Sequence, residues 1–455
     1  MSGKRCFGLL MAGILLSAAH IGAAADDKQT DCHVGTYRFA NRPDVDIGPG
    51  EAGKLRWRRQ DGTTGELTRA SDENWTSTLG WTGRADGIRV IFAACGSDAI
   101  RFDGVEGKRV AFDVTETRFA VEDAELVGRL VLPKGTGTVP VVVLIHGSEP
   151  DSARDYYALQ RQFPAAGIGA FVYDKRGTGG STGEYTQDYL TLAVDAIAAM
   201  REAKRLVGHR AGRVGYQGGS QGGWVAPLAA RIEPVDFVVV GFGLAISPLQ
   251  EDRSAIALDV TRHGYGADVM VKAMQIADAT AAILTSNFQD GYAQLDAVRK
   301  RYGTEPWFHD IHGDVTWALL EKSPDELRVL GPKLFPGVPL HYDPQPVLRN
   351  LTVPQLWILG EDDVDAPSAE TARRLRALSS TGHPISVAVF PHAEHGIYEY
   401  EMAADGQRLS TRQPDGYFRM MCDFILGKPL EPQYGTAALT RGRGQRATTR
   451  LRPGR

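Results

Sequence analysis

A run of five apolar residues at 141–145, Val-Val-Val-Leu-Ile, restricts the fold more than any other feature of this chain. A strand without polar side chains must be covered on both faces, which is typical of a parallel sheet with helices on each side. Similar apolar runs recur at 170–173, 237–240, 356–359 and 385–390. Amphipathic stretches lie between them, and one places Leu190, Ala193, Val194, Ile197 and Met200 on a single helical face. From about residue 130 the sequence therefore predicts a doubly wound, mostly parallel α/β sheet.

The segment 26–127 has the pattern of an all-β domain. Strand-like stretches at 55–59 and 88–92 are separated by Asp-Gly turn signals at 61–62, 86–87 and 103–104. At about 100 residues the segment is long enough for a small sandwich or barrel. Its tryptophans could form a ligand platform, but packing in the core or at an edge is the commoner role; they are Trp57, Trp75 and Trp81.

One connection in the α/β part is far longer than the fold requires. Gly241 and Gln355 are separated by 113 residues, whereas a parallel crossover needs only about a dozen. Much of that span, for example 268–284, has helical periodicity. We predict a helical cap at about 250–345 that encloses the substrate and excludes water. The predicted α/β domain, which includes this cap, is 128–435.

Residues 1–25 have the three parts of a secretory signal peptide. A basic start with Lys4 and Arg5 precedes an apolar stretch at 7–19 and three alanines at 23–25. An uncleaved anchor is the alternative, although the apolar stretch is too short to span a membrane and no later run approaches 18 apolar residues. Cys6 precedes the apolar stretch, which argues against lipoprotein processing. We expect cleavage after Ala25 and a periplasmic or secreted protein.

The charge balance argues against nucleic acid as a principal partner. Without Lys4 and Arg5 the chain has 49 basic and 55 acidic residues, a formal charge of −6. The exception is the segment 436–455, which contains six arginines and no acidic residue. We predict that this tail is disordered and solvated, and contact with an anionic surface is the alternative.

The cysteines fit an exported protein. Cys32 and Cys95 lie near the two limits of the predicted all-β domain, and in an oxidising compartment they are plausible disulfide partners. Cys422 lies within an apolar run and is expected to be a buried core residue rather than a catalytic thiol.

Two copies of Gly-x-Ser-x-Gly occur in the chain, around Ser181 and around Ser220. With 52 glycines in 455 residues the motif can arise by chance, so the context must decide between them. A nucleophile elbow requires a strand before the serine and a helix directly after it. Ser220 meets this requirement, because a partly apolar stretch at 213–217 precedes it and an apolar helical stretch at 223–230 follows. Ser181 lies in a glycine-rich loop and is expected to hydrogen-bond its own backbone.

A nucleophilic serine needs a base, and the base needs a third group that fixes its tautomer. In this architecture the chain order is serine, then acid, then histidine. The apolar run at 356–359 leads into an acidic turn at 360–367, and the run at 385–390 leads into Pro-His-Ala-Glu-His-Gly at 391–396. An oxyanion hole also needs two backbone N–H donors, one of which should come from Gln221.

These motifs resemble those of α/β-hydrolases, in the serine-hydrolase branch that includes dienelactone-hydrolase-like and prolyl-oligopeptidase-like esterases. The resemblance covers about 130–430. It implies that the acid is Asp363, with Asp362 and Asp365 as fallbacks, and that the base is His395 rather than His392.

The resemblance also bears on the loops around the serine. It implies that the second oxyanion donor is Ser148, with Gly147 next, while His146 shapes the turn. The loop at 174–181 also resembles a family motif, in which Arg176 braces the loops beside the site. Dienelactone members use a cysteine nucleophile, whereas this chain has Ser220.

The leading hypothesis is an exported serine esterase that forms an acyl-enzyme on a small ester or acyl substrate. A peptidase or acyltransferase that uses the same residues is the first alternative, and a non-catalytic binding protein is the second. We expect no cofactor and no metal, because neither a cysteine pair nor a His-Glu-x-x-His motif accompanies the possible ligands at His309 and His312. The substrate, the role of the all-β domain and the oligomeric state are not specified by the sequence.

Overall fold

The computed structural model describes residues 31–71 and 73–444. Within these residues the chain forms a closed antiparallel barrel, a nine-stranded sheet covered by helices, a helical insertion and a small three-stranded sheet. The predicted signal peptide lies outside the described residues. None of the helices in the described part is long and apolar enough to cross a membrane.

The barrel is built from eight strands in sequential order, with the last strand paired to the first. They are β1 Gly35–Phe39, β2 Val45–Pro49, β3 Leu55–Arg59, β4 Thr64–Arg69, β5 Asn74–Leu79, β6 Ala85–Phe92, β7 Ala99–Phe102 and β8 Val105–Arg109. Apolar side chains point inward and form one core, in which Trp57 and Trp75 are buried. A disulfide joins Cys32, just before β1, to Cys95, after β6, with a Cα–Cα distance of 5.7 Å.

The large sheet has the strand order β20-β16-β15-β14-β13-β11-β12-β10-β9. Its strands are β9 Phe112–Val121, β10 Ala124–Pro133, β11 Val139–Ile145, β12 Gly169–Tyr173, β13 Ala211–Gly219, β14 Val238–Gly241, β15 Gln355–Gly360, β16 Ile385–Phe390 and β20 Ala438–Thr440. The six strands from β16 to β12 in this order are parallel. The predicted fold class is confirmed: a mostly parallel α/β sheet with a helical insertion, preceded by a small all-β domain.

Helices cover both faces of this sheet. They are α1 Ala153–Tyr156, α2 Leu159–Ala165, α3 Tyr189–Val207, α4 Gly222–Ile232, α10 Gln345–Asn350, α11 Ser368–Ser380 and α12 Tyr417–Ile425. In β11, Val141, Val143 and Ile145 pack with α3 and α4. Val142 and Leu144 point to the opposite face, where α2 and α12 pack. The apolar run at 141–145 is therefore buried on both sides.

The insertion between β14 and β15 contains α5 Pro248–Arg262, α6 Ala267–Thr285, α7 Tyr292–Tyr302, α8 Thr316–Leu320 and α9 Pro324–Leu334. Capping boxes begin α5 at Ser247 and α9 at Ser323. The buried carboxylate of Asp252 on α5 accepts hydrogen bonds from the amides of Val315 (2.9 Å) and Thr316 (3.0 Å). These bonds tie the start of α8 to α5, so the insertion has its own internal polar contacts as well as its own apolar clusters.

A three-stranded antiparallel sheet follows β16 and consists of β17 Ala393–Glu394, β18 Tyr398–Met402 and β19 Arg408–Arg412. It lies between the large sheet and the barrel, because β19 contacts the barrel at Gly80 and Trp81. This arrangement brings the barrel to the end of the large sheet where the candidate site is found.

Two predicted boundaries differ from the structure. The all-β segment was expected to end at residue 127, but β9 and β10 belong to the large sheet, so the barrel ends at Arg109. The β9–β10 hairpin continues the series of antiparallel strands that forms the barrel, and only the pairing of β10 with β12 assigns it to the large sheet. The tail 436–455 was expected to be disordered, yet Ala438–Thr440 pair with β16, whose edge would otherwise be free. Residues 445–455 are outside the described part.

Candidate active site

Ser220 occupies a sharp turn between β13 and α4. Its φ is +52°, a left-handed conformation that non-glycine residues rarely adopt. The turn is tight enough that a Cβ on Gly218 would lie 2.6 Å from the carbonyl oxygen of Gly222. Glycine is therefore required for this close approach. The strand, the strained serine and the following helix have the geometry of a nucleophile elbow.

Three side chains from three different strand ends form a hydrogen-bond chain at this turn. His395 Nε2 lies 3.2 Å from Ser220 Oγ, and its Nδ1 lies 3.0 Å from Asp363 Oδ2. The other carboxylate oxygen of Asp363 accepts the amides of Asp365 (3.1 Å) and Ala366 (2.8 Å). Asp363 is 2% exposed. With a proton on Nδ1, His395 can accept the serine proton at Nε2. These residues, Ser220, His395 and Asp363, are called the triad below.

The electrostatic surroundings of His395 are strongly negative. Burial lowers the pKa of this histidine, but the charges of Asp363, Asp365 and Asp314 outweigh burial and raise it to about 9. Asp314 precedes α8 in the insertion, and burial together with the charge of Asp252 raises its own pKa to about 7. The charge of Asp314 acts on His395, so this part of the insertion lies near the triad.

Glu251 on α5 adds a further carboxylate to this region. Burial raises its pKa well above the usual value, and the neighbouring charges of Asp314 and Asp363 add to the effect. Within the described chain, no hydrogen bond or ion pair occupies the side-chain carboxylates of Glu251, Asp314 and Asp365. Sequence reasoning missed Glu251 and Asp314, because both lie in the insertion, whose orientation over the sheet is not encoded in a local motif.

The loop at 146–150 lies beside Ser220. An added Cβ on Gly147 would be 3.6 Å from the Cβ of Ser220. The amide of Gly147 donates to the Tyr157 hydroxyl at 3.3 Å, whereas the amides of Ser148 and Gln221 have no acceptor among the described residues. Gln221 and Ser148 are the residues whose amides are predicted from the sequence to form the oxyanion hole.

A buried lysine holds the 146–150 loop from below. Lys175 Nζ donates to the carbonyls of Gly147 (2.6 Å) and Glu149 (3.0 Å), and the lysine is 1% exposed. Burial lowers the pKa of Lys175 to about 8, and the charge of Glu149 opposes this shift. The carboxylate of Glu149 accepts the Tyr157 hydroxyl proton in a short hydrogen bond. None of these three residues was singled out from the sequence, since their contacts join segments that are distant along the chain.

The remaining residues of the 174–181 loop have structural partners. Ser181 Oγ donates to Asp174 O (2.8 Å) and accepts from Val127 N (2.9 Å). Arg176 pairs with the buried Asp195 at 2.7 Å and so joins this loop to α3. His146 Nε2 lies 2.5 Å from Tyr173 O, and burial together with the charge of Lys175 lowers its pKa to about 3. His146 is therefore neutral and donates to that carbonyl.

Among the described residues, the side chains of the fallback residues form no hydrogen bond with Ser220 or His395. His392 has a side chain that is 88% exposed, 3.7 Å from Asp362. Asp362 accepts the Tyr400 hydroxyl proton at 2.8 Å. Asp365 faces His395 through its charge but hydrogen-bonds Asp363 only by its backbone.

Within residues 31–71 and 73–444, one group of three potential metal ligands has its ligand atoms close together: Cys32, His33 and Cys95. The two sulfurs of this group form the disulfide.

This topology and this set of side chains define the chain as an α/β-hydrolase of the serine-hydrolase class. The resemblance noted in the sequence is thus confirmed at the level of the fold class. A family model described as X-Pro dipeptidyl-peptidase (S15 family) matches residues 122–318, which is less than half of the chain. Esterase EstD of Thermotoga maritima is 24% identical over 281 residues, which cover 59% of this chain and 57% of that protein. The match therefore spans little more than half the length of this relative.

Solved structures that align with part of this chain include an esterase and a peptidase. An esterase of Pyrococcus furiosus aligns with a TM-score of 0.40 and 15% identity, over 63% of this chain and 83% of that one. An acylaminoacyl peptidase of Pyrococcus horikoshii aligns with a TM-score of 0.39 and 17% identity, over 77% of this chain and 52% of that one.

Proposed function

We propose that this chain is an exported serine esterase that cleaves carboxylic esters through an acyl-enzyme. The observation that carries the proposal is the hydrogen-bond chain from Ser220 through His395 to Asp363. A buried carboxylate, an imidazole and a strained serine in this order are suited to nucleophilic acyl transfer.

In the proposed reaction, Ser220 Oγ attacks the ester carbonyl carbon while its proton passes to His395 Nε2. The carbonyl oxygen becomes an oxyanion and accepts hydrogen bonds from the amides of Gln221 and Ser148. When the tetrahedral intermediate collapses, the C–O bond to the alcohol breaks and His395 returns the proton to the leaving oxygen. Water then attacks the acyl-enzyme with the same base, and the carboxylic acid and Ser220 are released.

Labelling with a fluorophosphonate, followed by mass spectrometric mapping of the modified peptide, tests the nucleophile. The serine of the second Gly-x-Ser-x-Gly copy provides a matched control, since Ser181 hydrogen-bonds only backbone groups. We expect one label per chain on Ser220, loss of labelling in Ser220→Ala, and retained labelling in Ser181→Ala. Hydrolysis of p-nitrophenyl esters should fall at least about a thousandfold in Ser220→Ala. Unchanged turnover in that variant would contradict the proposal and leave the non-catalytic binding protein as the better reading.

The carboxylates over the triad favour a second candidate function, cleavage of a substrate that carries a positive charge near the scissile bond. Glu251 and Asp314 lie in the insertion with free carboxylates, and a free amino terminus of a short peptide would supply such a charge. The family described as X-Pro dipeptidyl-peptidase is consistent with this peptidase reading.

A comparison of p-nitrophenyl esters with aminoacyl-p-nitroanilides separates the two functions. Faster cleavage of neutral esters supports the esterase. Preference for the aminoacyl anilides, with the preference lost in Glu251→Gln, supports the peptidase.

Export is proposed on two observations, the signal-like segment at 1–25 and the disulfide between Cys32 and Cys95. Disulfides persist in oxidising compartments. Expression of the full chain in a bacterium with two membranes should give a periplasmic protein whose first residue is Asp26. A cytoplasmic protein that retains residues 1–25 would contradict export.

A further inference from the structure

The catalytic histidine of the proposed function lies in the three-stranded sheet rather than on the large sheet itself. His395 begins the turn that connects β17 to β18. Both residues next to it are held by side chains from the far side of this small sheet. Ser410 Oγ donates to Glu394 Oε1 at 2.6 Å, and Gln413 Nε2 donates to the carbonyl of Gly396 at 3.1 Å.

The backbones of the same two residues are hydrogen-bonded to the barrel. The amide of Trp81 donates to the carbonyl of Ser410 at 2.8 Å, and the amide of Gln413 donates to the carbonyl of Gly62 at 3.0 Å. Between them, Arg412 Nη2 donates to the carbonyl of Asp61 at 2.5 Å. Ser410 and Gln413 therefore connect two barrel turns with the two neighbours of His395.

The contact between the barrel and β19 is close along its length. A Cβ on Gly62 would lie 2.0 Å from the carbonyl oxygen of Gln413, and one on Gly80 would lie 2.4 Å from that of Ser410. Only glycine permits backbones to approach in this way. The ring of Trp81 packs edge-on against Tyr398, three residues after His395, with 4.7 Å between ring centroids.

Trp81 is itself fixed from the barrel side. The guanidinium of Arg56 lies 3.8 Å from the centre of the Trp81 ring, and Arg56 Nη1 donates to the carbonyl of Gly80 at 2.9 Å. Arg56 is 6% exposed. All three tryptophans therefore have packing roles. Trp57 and Trp75 are each 3% exposed and lie in the barrel core, and Trp81 packs between Arg56 and Tyr398. A ligand platform made of these three rings is not present.

We propose that the barrel is a positioning domain for the active site, which holds β19 and through it fixes the orientation of His395. The proposal rests on the proposed function, in which His395 is the general base. The barrel itself touches no reacting atom, and it acts through Ser410, Gln413 and Tyr398. Because a base must be aligned with both the serine and the leaving group, a small displacement of this turn reduces turnover more than substrate binding.

Substitutions of Trp81 in the full-length chain test the proposal. We expect Trp81→Ala to lower kcat about tenfold or more for a p-nitrophenyl ester while KM stays within about twofold. Trp81→Phe retains an aromatic edge against Tyr398 and should restore most of kcat. The rate of fluorophosphonate labelling of Ser220 should fall in parallel with kcat.

Trp75→Phe is the matched control, since it alters a barrel tryptophan in the core that does not contact β19. It should lower the unfolding temperature and leave kcat near that of the wild type. If Trp81→Ala fails to fold, Gln413→Leu replaces it, because this change keeps the side-chain volume and removes only the bond to Gly396. It should also lower kcat with KM little changed.

The proposal is overturned if the folded Trp81→Ala or Gln413→Leu variant keeps the kcat of the wild type, or if Trp75→Phe loses as much kcat as Trp81→Ala. These outcomes differ from a failure of the proposed function, in which the wild-type chain would show neither labelling of Ser220 nor ester turnover.

Discussion

At the scale of single residues, His395 is surrounded by more negative charge than one carboxylate supplies. Asp363 forms the hydrogen bond, while Asp365 and Asp314 act through space and help to raise the pKa of His395 to about 9. Below that pH the imidazole is protonated and cannot accept the serine proton. The free enzyme should therefore gain activity as the pH rises toward 9.

Asp365→Asn tests this effect of charge. The change removes one negative charge and keeps the shape of the side chain, so the pKa of His395 should fall. The rising limb of kcat/KM against pH should then move to lower pH. Measurement of esterase activity from about pH 6 to about pH 10 checks this. Asp405→Asn, an exposed change in the turn after β18, is the control. A limb in the Asp365→Asn variant that coincides with that of the wild type would exclude a role for Asp365 in setting this pKa.

Part of the candidate site could be predicted from the sequence, because each of its residues follows a strand with a recognisable signal. Ser220 sits in Gly-x-Ser-x-Gly, and the segments that contain Asp363 and His395 come after apolar runs in the required order. The choice between Asp362, Asp363 and Asp365 could not be made from spacing. It depends on which carboxylate points inward, and that is decided by the two amides that bind Asp363.

At the scale of elements, the 146–150 loop depends on contacts from β12 and α1–α2. Lys175, at the end of β12, binds two of its carbonyls, and Tyr157, between the helices, binds Glu149 and the amide of Gly147. This arrangement fixes the carbonyls on either side of Ser148, the residue that carries the proposed second oxyanion donor. Lys175 was not predicted because a hydrogen bond to a carbonyl 26 residues earlier has no local sequence signal.

Lys175→Met should weaken the proposed oxyanion hole. The change removes both hydrogen bonds and leaves the two carbonyls without a donor, at a cost of about 1–3 kcal/mol for each buried group. We expect kcat to fall about tenfold to a hundredfold with a smaller change in KM. The control is Lys134→Met, which alters an exposed lysine paired with Asp113. The measurement is steady-state kinetics of both variants and the wild type. A kcat of Lys175→Met equal to that of the wild type would show that the loop keeps its position without the lysine.

The β9–β10 hairpin shows a limit of sequence reasoning at this scale. β9 is mostly exposed or half-buried and β10 is mostly buried, and neither pattern separates a barrel strand from an antiparallel strand of the large sheet. Ten consecutive residue pairs join β9 to β10, and pairing of β10 with β12 then attaches both to the large sheet. That second pairing is a tertiary contact, so the boundary at Arg109 could not be found from periodicity.

At the scale of the whole molecule, the disulfide closes the barrel segment of the chain. Cys32 and Cys95 are 63 residues apart and enclose six of the eight barrel strands. Replacement of both cysteines by serine should lower the free energy of unfolding by about 2–5 kcal/mol, since a cross-link over a long loop restricts the unfolded chain.

Thermal unfolding with and without a reducing agent measures this contribution. The wild type should lose stability on reduction. The Cys422→Ser variant, which alters the buried free cysteine and keeps the disulfide, should lose stability to the same extent. A double cysteine variant as stable as the oxidised wild type would contradict the prediction. If the barrel positions His395 as proposed, ester turnover should also fall at the temperature where the reduced barrel unfolds.

The short strand β20 covers one edge of the large sheet, and this bears on how readily the protein aggregates. It pairs with β16, which is buried along its whole length and would otherwise form one margin of the large sheet. An uncovered edge strand exposes unpaired backbone N–H and C=O groups that can pair with strands of other molecules. Without β20, Val387 and Val389 would lose their pairing with Thr440 and Ala438 and could pair with strands of other molecules. We therefore expect a chain that ends before Ala438 to precipitate more readily while its active site remains intact.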